Sequence, residues 1–194
     1  MVAVTDNLLL RKLRQGDTVS FETLFERHYE RVYGLLFRLL GNRVEAEDIT
    51  QEVFLKLYQQ PLSGRDEDNL SAWLYRVATN MGYNAIRSRK RRWQRNTVLV
   101  PEEKDSSNDP MRLVAQQEQV ALVRRVLARL PQRQGQMLLL RQMGLSYAEL
   151  AKVCDVAPGS IGTLLRRAGK AFEQAYEAEA GKPQWTKEMK DERA

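Results

Sequence analysis

The apolar residues of this chain recur at helical spacing along almost its whole length. They fall on one broad stripe in residues 20–41 and on another in residues 45–60. The same period continues through residues 70–92 and returns in residues 113–130. The alternating apolar and polar runs that are typical of half-buried strands are missing from the sequence. The pattern therefore predicts an all-α fold.

The helical period is interrupted once, between the two halves of the chain. Residues 96–112 lose the apolar repeat and contain an acidic run, so they are predicted to be a flexible linker. The sequence thus predicts two small helical domains, residues 1–95 and residues 113–178. Residues 179–194 are expected to form a loose, charged tail.

The second domain carries the pattern of a helix-turn-helix. Ser146 and Glu149 form an S-x-x-E capping box, which predicts a helix start. The residues CDVAP then predict a short turn into a second helix near Pro158. One side of that second helix is apolar, through Ile161, Leu164, Leu165, Ala168 and Phe172. A plain helical hairpin in a bundle core is the structural alternative.

The other side of this second helix is polar and basic. It carries Ser160, Gly162, Thr163, Arg166, Arg167 and Lys170. Arginine and lysine suit phosphate contacts, which hold a protein on DNA without reading its sequence. A base-reading helix usually has Arg, Asn or Gln in its first turns, where this one has glycine, serine and threonine.

Positive charge is concentrated at the end of the first domain. The whole chain has a net charge of +6, and six of the nine residues in 87–95 are basic. Asn80 and Asn84 lie one turn apart on one helix face ahead of this run, and their amides either read a base edge or are solvated at the surface. Three nearby aromatic residues either stack on unpaired bases or pack in the core: Trp73, Tyr75 and Tyr83.

No catalytic or metal-binding constellation is present in the sequence. Asp48, Gln51 and Glu52 lie on the polar side of one helix, with no histidine, cysteine or glycine-rich loop nearby, so a protein-docking or solvated face is favoured over acid–base catalysis. His28 has no ligand partners at metal spacing and is expected to be structural. Cys154 is expected to be a small buried residue. We expect no cofactor, no metal site and no enzymatic activity.

The sequence also predicts a location. Its beginning has no signal-peptide layout, and no apolar run approaches the ~20 residues of a membrane helix. A cytoplasmic protein without membrane insertion is therefore expected.

Three ordered segments resemble the extracytoplasmic-function (ECF) sigma factors of the bacterial sigma-70 family. They are AEDITQEVFLKLY, AWLYRVATNMGYN and LSYAELAKVCDVAPGSIGTLLRRAGKAF. The resemblance implies that the first domain binds the clamp of core RNA polymerase and melts the minus-ten promoter element. It implies that the second domain binds the polymerase flap and the minus-thirty-five element, with the linker threaded between them. The family often has an anti-sigma partner, which is expected here too.

The resemblance also assigns roles to residues. Asp48, Gln51 and Glu52 match the polymerase-docking motif, and loop 61–69 with the following helix matches the part that captures an unstacked minus-ten base. The residues expected at minus-ten DNA are Asn80, Asn84, Arg87, Arg89, Lys90, Arg91 and Arg92. Those expected at minus-thirty-five DNA are Ser160, Gly162, Thr163, Arg166, Arg167 and Lys170.

The chain departs from the family pattern at the start of the second helix of the helix-turn-helix. The family commonly has Lys or Arg, then Ser, then Arg, where this chain has Gly162, Thr163 and Leu164. We therefore expect this helix to hold phosphates with its backbone, and to select sequence through DNA shape, Ser160 and Thr163. The alternative function is a stand-alone helix-turn-helix regulator whose first domain is a sensor; such a regulator needs no polymerase-docking face.

Overall fold

The computed structural model describes residues 4–65, 69–95 and 110–180, and the regular structure of those residues is entirely helical. The predicted all-α fold is confirmed. Residues 96–109 of the expected linker and residues 181–194 of the expected tail lie outside the described residues. The helices are α1 (Asp6–Arg14), α2 (Thr18–Leu40), α3 (Arg43–Gln59), α4 (Leu70–Arg95), α5 (Pro110–Arg129), α6 (Gln132–Gln142), α7 (Tyr147–Cys154) and α8 (Ile161–Ala180).

Polar side chains at the helix starts define most of these boundaries. The Asp17 carboxylate accepts a hydrogen bond from the Val19 backbone at the start of α2, at 3.1 Å. The Asn42 side chain does the same for Glu45 at the start of α3, at 2.8 Å. Each bond satisfies a backbone donor that has no partner within the helix. At the end of α2, Gly41 adopts a left-handed φ of 73°, a conformation that glycine adopts without steric cost.

The structure departs from the sequence prediction at several helix boundaries. Helix α1 was not predicted, because its apolar residues form too short a run; it packs on α2, where Asp6 contacts His28 at 2.8 Å. Helix α5 begins at Pro110, three residues earlier than expected. At the helix-turn-helix, residues 158–160 form a single 3-10 turn, so that α8 begins at Ile161.

The helices pack as two sets that share one apolar core. In the first set, α2 contacts α1, α3 and α4; in the second, α8 contacts α5, α6 and α7. Helix α4 also packs against α7, and α2 contacts α5 and α6. The core cluster accordingly contains residues of both sets, among them Leu36, Leu74 and Tyr83 from the first and Met137, Leu140 and Leu150 from the second. The sequence predicted the two sets, but not that they pack together.

The capping box of α7 gives a first testable prediction. The Ser146 hydroxyl accepts from the Glu149 backbone at 3.3 Å, and the Ser146 backbone donates to the Glu149 carboxylate at 2.7 Å. We expect Ser146→Ala to lower the free energy of unfolding by ~1 kcal/mol, measured by urea denaturation. Ser160→Ala, at an exposed position of the same helix-turn-helix, is the control and is expected to change it by less than about 0.5 kcal/mol. Equal losses in both variants would contradict the capping role.

The same capping box makes stability depend on pH. The hydrogen bond from the Ser146 hydroxyl, with that from its backbone, lowers the pKa of Glu149. A carboxyl whose pKa is lower in the folded state stabilises the fold above its unfolded pKa, and that contribution is lost as the pH falls through the lowered folded value. The contribution is therefore present at neutral pH and is expected to fade in the acid range. Urea titrations of Glu149→Gln should show a correspondingly weaker loss of stability in acid.

Candidate nucleic-acid interface

The predicted acidic motif lies beside an open groove between α2 and α3. Asp48, Gln51 and Glu52 are exposed, and one wall of the groove is formed by these residues along the same face of α3. The groove has a volume of about 650 Å³, and its remaining lining is apolar or aromatic: Phe21, Phe25, Phe54, Leu55 and Tyr58. Leu55 and Tyr58 are 51% and 46% exposed. An apolar floor with an acidic rim suits a protein segment that carries both apolar and basic side chains.

The predicted minus-ten residues all lie on α4 and are all exposed, but they do not share one face. Asn80, Asn84, Arg87 and Arg91 follow helical spacing and form a continuous stripe, with Arg87 donating to the Asn84 side chain. Arg89 points instead toward α3, where its guanidinium lies 3.4 Å from the Glu45 carboxylate. The basic run therefore has two sides. Arg87 and Arg91 extend the stripe that begins with Asn80 and Asn84, whereas Arg89 faces α3.

The stripe on α4 is also the face on which the second set of helices lies. Gln132, at the start of α6, donates to Asn80 Oδ1 at 2.8 Å and accepts from Arg87 Nη1 at 3.0 Å. One turn before Asn80, Arg76 Nε donates to the Val153 carbonyl at the end of α7, at 3.0 Å. Neither Gln132 nor Arg76 was predicted from the sequence. Arg76 lies one turn before Asn80 on the same helix, so its spacing could have indicated a contact residue. No motif around Gln132 distinguishes that residue from other polar residues at helix starts.

The predicted minus-thirty-five residues form one exposed face. Ser160 ends the 3-10 turn, and Thr163, Arg166, Arg167 and Lys170 follow along the outer side of α8. The opposite side is packed, with Ile161 and Ala168 fully buried. A side chain added at Gly162 would meet only the Tyr147 ring, at 3.7 Å, which is an ordinary contact distance. The face is therefore open and can accept a larger residue at Gly162.

The aromatic residues of α4 are placed in the core rather than on the stripe of Asn80, Asn84, Arg87 and Arg91. Tyr75 and Tyr83 are 8% and 4% exposed, and Trp73 is half-buried against the core. Burial raises the pKa of both tyrosines, which disfavours their ionised forms. Of the two interpretations that the sequence left open for these rings, core packing is the one the structure supports.

The remaining candidate groups have structural roles. His28 is buried and bonded to Asp6, and Cys154 is a buried free thiol whose pKa is raised by burial. Within residues 4–65, 69–95 and 110–180, no group of three His, Cys, Asp or Glu side chains could hold a metal ion. Among the helices described here, none has the length and apolar character needed to cross a membrane.

Two family profiles match the chain in the order of its two helical sets. The profile for sigma-70 region 2 matches residues 24–92, and that for sigma-70 region 4 matches residues 121–171. The RNA polymerase sigma-H factor of Pseudomonas aeruginosa is 28% identical over 181 residues, which cover 89% of this chain and 94% of that protein. The ECF RNA polymerase sigma-E factor of Escherichia coli K12 is 29% identical over 180 residues, covering 88% and 93%. The chain belongs to the sigma-70 family, in its ECF group.

Solved structures agree with this sigma factor in fold. The sigma factor RpoE in complex with the anti-sigma factor NepR, from Bartonella quintana, has a TM-score of 0.56 at 22% identity and covers 81% of this chain and 96% of that one. CnrH in complex with the cytosolic domain of CnrY has a TM-score of 0.59 at 18% identity, covering 90% and 98%. The region 2 match begins within α2 and ends within α4, and the region 4 match begins within α5 and ends within α8. The two helical sets, α1–α4 and α5–α8, are called region 2 and region 4 after these matches. The function of the chain is that of its family, a transcription initiation factor that recognises promoters.

Proposed function

We propose that the groove between α2 and α3 docks this sigma factor on core RNA polymerase through Asp48, Gln51 and Glu52. The observation that carries the proposal is that all three are exposed and line one groove whose floor is aromatic. Docking there would pair the acidic rim with basic groups and bury the exposed Leu55 and Tyr58. A stand-alone DNA-binding regulator has no use for such a groove.

We propose that α4 contacts the minus-ten element and α8 the minus-thirty-five element. The exposed stripe of Asn80, Asn84, Arg87 and Arg91 offers amides for a base edge, followed by charges for phosphates. Arg89, Lys90 and Arg92 are also exposed and add positive charge beside it. On region 4, the exposed face of Ser160, Gly162, Thr163, Arg166, Arg167 and Lys170 supports binding through phosphates.

We further propose an anti-sigma partner, a cytoplasmic location and a role in binding rather than catalysis. The support for a partner is that the sigma factor RpoE, which has a similar fold, has been solved in complex with the anti-sigma factor NepR. CnrH, also of similar fold, has been solved in complex with the cytosolic domain of CnrY. Membership of a family of transcription initiation factors supports the other two, since such a protein works beside the polymerase and the polymerase supplies the chemistry.

Run-off transcription tests the function as a whole. Core polymerase is incubated with and without the purified chain on a library of promoter fragments, and a discrete transcript that requires the chain is expected. A chain that binds duplex DNA equally well without polymerase, and that leaves transcription start sites unchanged, is the regulator instead.

The arginines of α8 give the prediction for region 4. If they contact phosphates, Arg166→Ala and Arg167→Ala should weaken promoter binding about equally across minus-thirty-five variants. Each should also lower the slope of log affinity against log salt by about 1. Binding to single-base substitutions of the element, at two salt concentrations, measures both. If Arg166→Ala abolishes preference at one base pair only, Arg166 reads that base and the phosphate assignment is wrong.

A gain of binding is expected from the same face. Gly162→Arg places the residue type common in the family at an exposed position where the nearest contact of a new Cβ is 3.7 Å away. We expect tighter promoter binding with a steeper salt dependence, in the same assay. Gly169→Arg, where a new Cβ meets nothing within 4 Å, adds the same charge farther along α8 and is the matched control. An equal gain in both variants would show that the added positive charge, and not its position at residue 162, causes the tighter binding.

A further inference from the structure

Helix α1 precedes the sigma-70 region 2 match, which begins at residue 24, yet it is held in place by two kinds of contact. Three of its leucines are buried in the core: Leu9, Leu10 and Leu13. Its first residue, Asp6, bonds two side chains of α2, with His28 Nε2 at 2.8 Å and Arg27 Nη1 at 2.6 Å. Helix α1 is therefore fixed on α2 at both its apolar face and its start.

The loop between α3 and α4 packs on α1 at Gly64. Gly64 is buried and adopts a left-handed φ of 72°. A Cβ at this position would lie 2.7 Å from the Asn7 carbonyl oxygen, 2.7 Å from Arg11 Cγ and 3.0 Å from the Arg11 backbone nitrogen. Carbon atoms in good contact lie about 3.5–4.0 Å apart. The loop backbone therefore rests directly on one turn of α1, and it does so only because residue 64 is glycine.

The loop is also fixed on both sides of this contact. Before Gly64, Leu62 packs against the core. After it, Asn69 caps α4, where its Oδ1 accepts from the Ala72 backbone at 2.8 Å and its carbonyl accepts from the Trp73 backbone at 3.0 Å. Helix α1 thus supports the loop at a point between two anchors, just ahead of α4.

This support bears on minus-ten DNA, because the loop leads into the helix that is proposed to contact it. Of loop 61–69, which is expected to act with α4 in capturing an unstacked base, the structure describes residues 61–65 and Asn69. A binding constellation must be held within about 0.5 Å of its productive geometry. Relieving a contact of 2.7 Å with the backbone of α1 requires the loop to move by about 1 Å.

We propose that α1 positions this loop for minus-ten recognition, through the contact of its Asn7–Arg11 turn with Gly64. The inference rests on the proposed function of α4 and on the role expected of the loop. It makes a helix that precedes the family match a determinant of which minus-ten base is preferred. In this role α1 and Gly64 act through the loop and need no contact with DNA of their own.

Base preference in the polymerase complex tests the role of Gly64. Run-off yields are compared on promoters in which each minus-ten base pair is substituted in turn, with core polymerase and saturating protein. In Gly64→Ala the ratio of yields between the preferred base and the others, at one position, should fall about fivefold or more, because one base-edge contact carries that much discrimination. A fold that is merely less stable lowers the yield on all promoters together and leaves the ratio unchanged.

Gly16→Ala is the matched control. Gly16 also has a left-handed φ, of 92°, but a Cβ there would meet no described atom within 4 Å. The two variants share the backbone cost of replacing a left-handed glycine and differ in the clash with α1. Gly16→Ala should keep the wild-type ratios. Equal changes of the ratio in both variants, or wild-type ratios in both, would overturn the inference.

A substitution on the other side of α1 keeps the inference testable if circular dichroism shows that Gly64→Ala does not fold. Asp6→Ala removes both bonds from the start of α1 to α2 and leaves the loop itself unchanged. Because Asp6 adjoins Asn7, whose carbonyl meets Gly64, the same base ratio should fall in this variant. Wild-type ratios in a folded Asp6→Ala would then refute the positioning role.

Polymerase binding separates failure of this inference from failure of the proposed function. Gly64→Ala and Asp6→Ala should recover core polymerase as wild type does, because the groove between α2 and α3 is lined by other residues. If no transcript depends on the wild-type chain, or if that chain shows no minus-ten preference, the proposed function fails. If wild type selects a base and a folded Gly64→Ala selects it equally well, only the positioning role is wrong.

Discussion

The double variant Asp48→Arg with Gln51→Ala is expected to lose core polymerase binding while keeping the wild-type fold. Both side chains are exposed, so their replacement should cost less than about 0.5 kcal/mol each in stability. Reversing a charge against a basic partner in a desolvated interface costs about 2–5 kcal/mol or more, which is roughly a 30-fold or greater loss of affinity. Pull-down of core enzyme by the tagged chain measures the loss, and circular dichroism checks the fold.

A matched control variant distinguishes an effect of the groove on polymerase binding from an effect of the protein's total charge. Glu30→Arg with Gln142→Ala makes the same change of charge and the same amide-to-alanine change at exposed positions outside the groove. It should retain wild-type binding. Recovery of core enzyme at wild-type levels by the groove variant would refute the docking assignment, whatever the control does. Equal losses in the two variants would point to long-range electrostatics instead of contacts at the groove.

The helices and their ends were predictable because their determinants are local. The apolar stripe of α2, the S-x-x-E box of α7 and the stop at Gly41 each depend on residues within a few turns. Helix α1 was not predicted, because its nine residues give too short a periodic run. Its place is set instead by tertiary contacts: Leu9, Leu10 and Leu13 are buried in the core, and Asp6 bonds His28 across 22 residues of sequence.

The candidate sites were predictable as sets of residues but not as surfaces. The spacing of Asp48, Gln51 and Glu52 places them on one face of a helix, yet the aromatic floor beside them comes partly from α2, through Phe21 and Phe25. The two asparagines of α4 were identified, whereas the contact of Asn80 with Gln132 joins residues 52 positions apart. A polar residue at a helix start has the same sequence pattern whether it faces water or another helix, so such pairings appear only in three dimensions.

The last prediction concerns promoter melting by the α4 stripe. We expect Asn80→Ala, within the polymerase complex, to reduce open-complex formation on a duplex promoter and to weaken discrimination at one minus-ten base. Loss of one base-edge contact costs about 1–3 kcal/mol of discrimination. Permanganate footprinting, which detects unpaired thymines, measures the open complex for each base at that position. Gln174→Ala, an exposed amide near the far end of α8, should behave as wild type.

Asn80 also accepts a hydrogen bond from Gln132 at 2.8 Å. A loss of melting with an unchanged circular dichroism spectrum would therefore come from a lost promoter contact and not from a disturbed fold. Unchanged permanganate reactivity together with unchanged base preference would leave Asn80 with its contact to Gln132 and no role in reading DNA.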